Sequence, residues 1–168
     1  MINLSKSTPK ILVIGDLIID HYLWGSSNRI SPEAPVPIVS INKESTMLGG
    51  AGNVLNNLNA LGAKIDVISV VGDCENSDSM KALLNEINID TQYLISEKGR
   101  IASKKSRIII SQQQVVRYDR ESSTSINKNS EETILNYYNE MVNSYDCILL
   151  SDYGKGLFTK KLTQSLIN

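Results

Sequence analysis

Mostly apolar stretches alternate with stretches of helical spacing along this chain. Residues 10–16, 64–71 and 146–152 are largely apolar, which is typical of parallel strands buried on both faces. Apolar residues recur at helical spacing over 51–61, 76–88 and 130–144, with Ser130 placed to cap the third helix and Thr159 to cap a fourth. This alternation predicts an α/β fold, in which a parallel sheet carries helices on both faces.

Two regions, roughly 20–45 and 100–120, break this alternation and predict a small β-sheet lid. In the first, short strands at 21–25 and 36–41 flank a proline-rich loop at 29–35, where prolines suit edge strands and turns. In the second, strands at 101–110 and 114–119 are joined around residues 111–113. We expect these strands to lie across the carboxyl ends of the main sheet.

The central candidate site is the glycine cluster Gly49-Gly50-Ala51-Gly52-Asn53, which opens the first predicted helix. Glycines allow a tight turn and a close approach to the main chain, and the first N–H groups of a helix have no internal partner. Asn53 adds a side chain that both donates and accepts hydrogen bonds. A polar small molecule on this turn and a turn that serves packing alone are equally compatible with the motif.

Two carboxylates follow the first predicted strand, Asp16 at its end and Asp20 four residues later. Open α/β sheets bind ligands beyond the carboxyl ends of their strands, and a carboxylate accepts several hydrogen bonds from sugar hydroxyls. The alternative is that Asp16 caps a turn and that Asp20 is a solvated surface charge.

Lys105 and Arg107 share one face of a predicted lid strand and are a candidate pair for a phosphate group. The alternative is a solvated strand face. Arg117 and Asp119 also share a face and can pair with each other. His21, the one histidine of the chain, has no partner in sequence, and we interpret it as structural.

Composition narrows the classes of function. Seventeen Lys and Arg residues against eighteen Asp and Glu residues give a net charge of −1 over 168 residues, so no nucleic-acid partner is expected. No apolar run approaches the roughly 18 residues of a membrane span, and Met1-Ile2-Asn3-Leu4-Ser5-Lys6 lacks the apolar region of a signal peptide. Cys74 and Cys147 show no metal or redox spacing, and we expect two buried thiols in a reducing cytoplasm.

Several of these motifs together resemble the ribokinase-like (PfkB-type) carbohydrate kinases. The resemblance rests on Gly15-Asp16 with Asp20, on the glycine cluster and on the two-part lid. A second group of motifs is similar to the branch that phosphorylates heptose 7-phosphate for lipopolysaccharide synthesis: the run from Arg29 to Pro37, Lys105-Ser106-Arg107, Gln113-Gln114, Arg117-x-Asp119, and Ser151-Asp152-Tyr153-Gly154-Lys155-Gly156. Ser106 stands where that branch is expected to have threonine, and Leu55 where it often has a small residue.

The resemblance implies transfer of a phosphoryl group from ATP, with Mg²⁺, to the anomeric hydroxyl of the sugar phosphate. It assigns the sugar hydroxyls to Asp16, Asp20, Gly49, Gly50 and Asn53, the existing phosphate of the sugar to Lys105, Arg107 and Arg117, and the ATP phosphates to Lys155 and Asp152. No metal ligand is assigned. The open edges of the lid strands suggest a homodimer that pairs through the lid.

One motif of the family does not occur in these 168 residues, namely the Gly-Ala-Gly-Asp turn that supplies the catalytic base and an anion hole. We therefore expect residues 1–168 to be the N-terminal portion of a kinase domain, with the later part of the fold missing and no activity alone. Three alternatives remain: a sugar-phosphate-binding or dimerisation module, a related kinase for another sugar, and a dinucleotide-binding oxidoreductase. The last fits poorly, because no Gly-x-Gly-x-x-Gly follows the first strand.

Overall fold

A computed structural model describes residues 8–168. Its elements in chain order are β1 (Lys10–Gly15), β2 (Leu17–Ile30), β3 (Pro37–Gly50), α1 (Ala51–Ala60), β4 (Lys64–Gly72), α2 (Glu75–Glu86), β5 (Leu94–Glu97), β6 (Ser103–Ile110), β7 (Gln113–Arg120), α3 (Lys128–Met141), a 3₁₀ turn (Val142–Ser144), β8 (Cys147–Ser151) and α4 (Lys160–Ile167). The residues inspected for a signal peptide lie outside this range. No helix within the described range is long and apolar enough to cross a membrane.

The main sheet has the strand order β5-β4-β1-β8, and all of its pairs are parallel. The carboxyl ends of these strands therefore meet at one edge, where Asp16 follows β1 and Asp152 follows β8. The sheet separates two apolar cores. Val13 and Val67 face α1 and α2, whereas Leu12, Ile14 and Ile68 face α3 and α4. This arrangement confirms the predicted parallel sheet with helices on both faces.

The lid is a second four-stranded sheet with the order β3-β2-β6-β7. The β2/β3 and β6/β7 pairs are antiparallel, and β2 and β6 run parallel. A single residue, Asp16, separates β1 from β2. The first lid strand therefore follows directly after β1, at the carboxyl edge of the main sheet. The β6–β7 hairpin turns at Ser111 and Gln112, whose φ angles of 48° and 68° are those of a two-residue turn with both central residues left-handed.

Several local predictions were wrong in their bounds. The first two lid strands are 14 residues each rather than five or six, because β2 and β3 pair from Leu17 opposite Gly50 to Ile30 opposite Pro37. Strand pairing thus orders the polar stretch around Asn42, which has no strand pattern of its own. The cap of α3 is Asn127, whose side chain accepts from the Ser130 N–H at 2.9 Å. The predicted Thr159 cap of α4 is confirmed, since its hydroxyl accepts from the Leu162 N–H at 3.0 Å.

The expectation of two buried thiols was also wrong. Cys147 is exposed at the start of the edge strand β8, and Cys74 is half-buried at the N-cap of α2. Both are free cysteines.

A buried carboxylate joins α3 to α4. Glu131 is 7% exposed, and its carboxylate accepts a hydrogen bond of 2.5 Å from the Thr159 hydroxyl and lies 3.1 Å from the Lys161 ammonium. The hydrogen bond from Thr159 is the largest cause that lowers the pKa of Glu131; burial opposes it and Lys161 adds to it. Since the charged form is favoured in the folded chain, this carboxylate stabilises the fold when it is ionised.

We predict that Glu131→Gln lowers the free energy of unfolding at pH 7 by about 1.5–3 kcal/mol, the range for hydrogen bonds to charged groups. The folded-state pKa lies below the unfolded one, so the deficit is fully present above about pH 4.5 and shrinks as the pH falls through the folded pKa. Urea unfolding at pH 7, 5 and 3 measures this. The neighbouring, exposed Glu132→Gln is the matched control. Equal losses for both variants, or a Glu131→Gln deficit that does not change with pH, would contradict the assignment.

Candidate active site

The glycine cluster lies at the junction of lid and main sheet. Gly50 ends β3 with φ +58°, a left-handed conformation that suits glycine, and a Cβ there would lie 2.6 Å from the Asp16 carbonyl oxygen. The same carbonyl accepts from the Ala51 N–H at 2.9 Å. Glycine at position 50 is therefore required for the chain to pass beside Asp16 before α1 begins. Asn53 is exposed in the first turn of α1.

Asp16 is buried and caps a turn, which was one of the two roles considered for it. Its Oδ2 accepts from the Tyr153 N–H at 2.9 Å and the Lys155 N–H at 3.1 Å. The carboxylate thus ties the end of β1 to residues 153–156, the turn that follows β8. Among the described residues, no donor is bonded to its Oδ1, so that oxygen can accept a further hydrogen bond.

Asp20 is not a solvated surface charge. Its Oδ1 accepts from Arg107 Nη1 at 2.6 Å, and the two side chains are 22% and 19% exposed. On the other side its carboxylate lies directly against Gly49, where any Cβ would overlap it. Burial alone would lower the pKa of Arg107, but the hydrogen bond and the charge of Asp20 raise it above its ordinary value. The Arg107 guanidinium also stacks 5.2 Å from the centre of the Tyr22 ring.

The remaining predicted cations lie on the same face of the lid. Lys105 is in register with Asp20 on one side and Asp119 on the other, and Arg107 is directly opposite Arg117. Arg117 pairs with Asp119 at 3.1 Å, as the sequence allowed. Lys105 has no carboxylate within 4.0 Å among residues 8–168. Lys43, in register with Trp24, lies on the same face. This face of the lid, which we call the inner lid face, therefore carries four cations against two carboxylates.

Lys155 and Asp152 lie together on the turn after β8, but neither is fully free. Lys155 Nζ pairs with Glu121 at 2.8 Å, and Asp152 Oδ1 accepts from the Gly154 N–H at 2.8 Å. The Glu121 Oε2 is buried and has no partner among the described residues. Any anion that binds Lys155 thus competes with Glu121, a residue that the sequence analysis missed.

Arg100 is a second residue that the sequence analysis missed. It is buried, pairs with Glu97 at 3.4 Å, and donates to the carbonyl oxygens of Thr124 and Lys155. It therefore holds the turn at 153–156 through the Lys155 carbonyl, whereas Asp16 holds the same turn through main-chain N–H groups. Nothing in the sequence marks Glu121, or the contact of Arg100 with this turn, because Lys155 lies 34 residues from Glu121 and 55 residues from Arg100.

His21 is structural, as interpreted. It is buried within the lid, where its ring nitrogens lie 3.1 Å from Ser106 Oγ and 3.1 Å from Glu44 Oε2. It cross-links strands on the lid face opposite Asp20.

In the part of the chain from residue 8 onward, no three Asp, Glu, His or Cys side chains are grouped so as to hold a metal ion. The Lys155 ammonium can form a charge-assisted hydrogen bond with a phosphate oxygen of a nucleotide.

Comparisons with known proteins agree with this geometry. The family model described as pfkB family carbohydrate kinase matches residues 8–161. The bifunctional protein HldE of Aliarcobacter butzleri is 58% identical over 165 residues, which are 98% of this chain and 34% of that protein. That of Helicobacter hepaticus is 46% identical over 168 residues, 100% of this chain and 35% of that protein. The chain thus spans about a third of the length of the curated relatives it matches.

Solved structures give the same fold at low identity. A carbohydrate kinase from Agrobacterium tumefaciens superposes with a TM-score of 0.57 at 18% identity, covering 85% of this chain and 45% of the other. Arabidopsis thaliana ribokinase, solved with ribose and ATP, superposes with a TM-score of 0.56 at 14% identity, covering 86% and 45%. The predicted ribokinase-like fold is therefore confirmed. Since the family model covers nearly the whole described chain, the chain belongs to the pfkB family of carbohydrate kinases.

Proposed function

We propose that this chain carries the sugar-phosphate side of a kinase that transfers the γ-phosphoryl group of ATP to the anomeric hydroxyl of D-glycero-β-D-manno-heptose 7-phosphate. The observation that carries the proposal is the Asp20–Arg107 pair beside Gly49, because it places a hydroxyl acceptor and a phosphate-binding cation at one point of the inner lid face. A sugar that bears a phosphate presents both groups.

The sugar hydroxyls would lie against the junction of lid and sheet. Asp16 Oδ1 and the Asp20 carboxylate accept from hydroxyl groups, and Asn53 can donate and accept at the start of α1. The main chain at Gly49 and Gly50 allows the ring to approach without meeting a Cβ. Because these groups are held by the fold, they orient the hydroxyl before the reaction, which is the main requirement of phosphoryl transfer.

The existing phosphate of the sugar would bind the inner lid face. Lys105 contributes a cation with no carboxylate partner among the described residues, and Arg107 and Arg117 contribute guanidinium groups that each already hold a carboxylate. A bound phosphate would therefore contact arginines that are already paired with Asp20 and Asp119. The excess of positive charge on this face favours a phosphorylated sugar over a neutral one.

ATP would bind on the sheet side of the cleft, with its phosphates toward Lys155 and beside Asp152. Bound Mg²⁺ would neutralise phosphate charge. Lys155 must then exchange Glu121 for a phosphate oxygen. Use of ATP and a sugar phosphate also supports a cytoplasmic location for the protein.

The choice of heptose 7-phosphate rests on the run from Arg29 to Pro37 and on the Ser-Asp-Tyr-Gly-Lys-Gly turn, which resemble the heptose branch. Transfer would give the 1,7-bisphosphate, a precursor for ADP-heptose. The Gly-Ala-Gly-Asp turn, which supplies the base in this family, does not occur in these 168 residues, so we propose that this chain alone does not turn over. A related kinase for another sugar is the alternative substrate assignment.

A coupled ADP-release assay with heptose 7-phosphate, fructose 6-phosphate and ribose tests these assignments. We predict turnover with heptose 7-phosphate by a protein in which this chain is extended to the length of its relatives, and none by the 168-residue chain. Turnover by the 168-residue chain would contradict its proposed inactivity. A preference of the extended protein for another sugar would keep the kinase assignment and overturn the substrate.

A second proposal is a homodimer through the lid, favoured by the exposure of its outer strand. All eight residues of β7 are exposed, and β7 and β3 are both edges of the lid sheet. The lid also exposes large apolar side chains, namely Ile30, Val36, Ile41, Met47, Val115, Val116 and Tyr118. Open strand edges with apolar side chains are natural pairing surfaces. A sugar-phosphate-binding module that mainly dimerises is the non-catalytic form of this proposal.

We predict that light scattering after size-exclusion chromatography gives about twice the chain mass of 18.6 kDa. Val116→Lys adds a charge to the exposed β7 surface and should shift the protein toward the monomer. Leu61→Lys is the matched control, since Leu61 is 83% exposed at the C-terminal end of α1, outside the lid. A monomer for the unaltered chain at about 100 μM, or the same shift for both variants, would contradict the proposed dimer through the lid.

A further inference from the structure

The lid has a second polar surface, on the face opposite the proposed sugar site. There, strands β6 and β7 meet the first two turns of α2 around a cavity of about 130 Å³. Its lining includes Asn76 and Ser79 from the helix and Lys104, Ser106, Tyr118 and Arg120 from the lid. Because Lys104 and Arg120 alternate with Lys105 and Asp119 along their strands, they point away from the inner lid face. We call this space the rear crevice.

Two cations lie on neighbouring strands in the lining of the rear crevice. Lys104 is in direct register with Arg120 in the antiparallel β6/β7 pair. Like charges directly opposite on neighbouring strands are destabilising. Within residues 8–168, neither has a carboxylate within 4.0 Å. Glu75 is the single acidic side chain in the cavity lining and lies beyond that distance from both, so the lining keeps an excess of one positive charge.

We propose that the rear crevice binds a small oxyanion, namely inorganic phosphate or the phosphate group of a metabolite. The anion takes charge-assisted hydrogen bonds from Lys104 and Arg120, which removes their repulsion. The hydroxyl groups of Tyr118 and Ser79 supply neutral donors, while the Ser106 hydroxyl is engaged with His21. The cavity is far larger than the roughly 10–15 Å³ that one water needs, so a tetrahedral anion fits.

Occupancy of the rear crevice couples the lid to the core. The anion joins lid strands β6 and β7 to α2, an element of the main domain. Arg120 is also followed directly by Glu121, the partner of Lys155 in the proposed nucleotide region. An anion in the crevice therefore fixes the end of β7 relative to the core.

The test is a titration of the ¹⁵N-labelled 168-residue chain with inorganic phosphate at constant ionic strength, followed by amide chemical shifts. We expect saturable shifts at Asn76, Ser79 and Tyr118. Lys104→Gln and Arg120→Gln should each weaken binding at these amides about tenfold or more, the loss expected for one charge-assisted hydrogen bond. Lys98→Gln, at an exposed lysine outside the crevice, should leave these shifts unchanged.

Each outcome decides the proposal. Absent or non-saturating shifts at the crevice amides, or full binding by the Lys104→Gln/Arg120→Gln double variant with a native spectrum, overturn it. Parallel titrations with ATP and fructose 6-phosphate identify the source, since tighter crevice binding by either one assigns the phosphate to that class of metabolite. Shifts around Asp20 and Lys105 report on the sugar site instead, so failure of the proposed function is distinguishable from failure of the crevice site.

Discussion

The close passage of the main chain beside Asp16 is the constraint on which the rest of the site depends. Asp16 is the single residue between a strand of the main sheet and a strand of the lid. Its carbonyl receives the first N–H of α1, and its carboxylate receives two N–H groups of the turn after β8. Three segments that are distant in sequence therefore meet at one residue. A larger residue than glycine at position 50 would push them apart.

The charges of the cleft are largely paired before any ligand binds. Arg107 holds Asp20, Arg117 holds Asp119, and Lys155 holds Glu121. Pairing lowers the cost of keeping partly buried charges and orients them in the unliganded protein. Under the proposed function, a ligand would replace a partner in such a pair or bind beside the pair. Selectivity would then depend on whether the ligand supplies both a hydroxyl for the carboxylate and an anion for the cation.

The fold and the region of the candidate site can be predicted from the sequence. The ion pairs and hydrogen bonds between the residues of that site cannot. The strands of the main sheet are apolar in themselves, so their periodicity predicts them, and Asp16 and the glycine cluster follow from their positions at element ends. The lid strands depend on each other: β3 contains Asn42-Lys43-Glu44, which is ordered by pairing with β2 rather than by local preference. Asp20–Arg107 and Lys155–Glu121 join residues 87 and 34 positions apart, and no local pattern specifies such contacts.

The most direct test of the sugar-phosphate site is calorimetric titration of the 168-residue chain with heptose 7-phosphate and with the same heptose lacking the phosphate. The site described above predicts that the phosphorylated sugar binds more tightly, and that Arg107→Gln weakens its binding about tenfold or more by removing one charged hydrogen-bond donor. Lys98→Gln, at an exposed lysine outside the lid strands, should bind like the unaltered chain. Equal affinities for the two sugars, or no effect of Arg107→Gln, would contradict the claim that the inner lid face recognises a sugar phosphate.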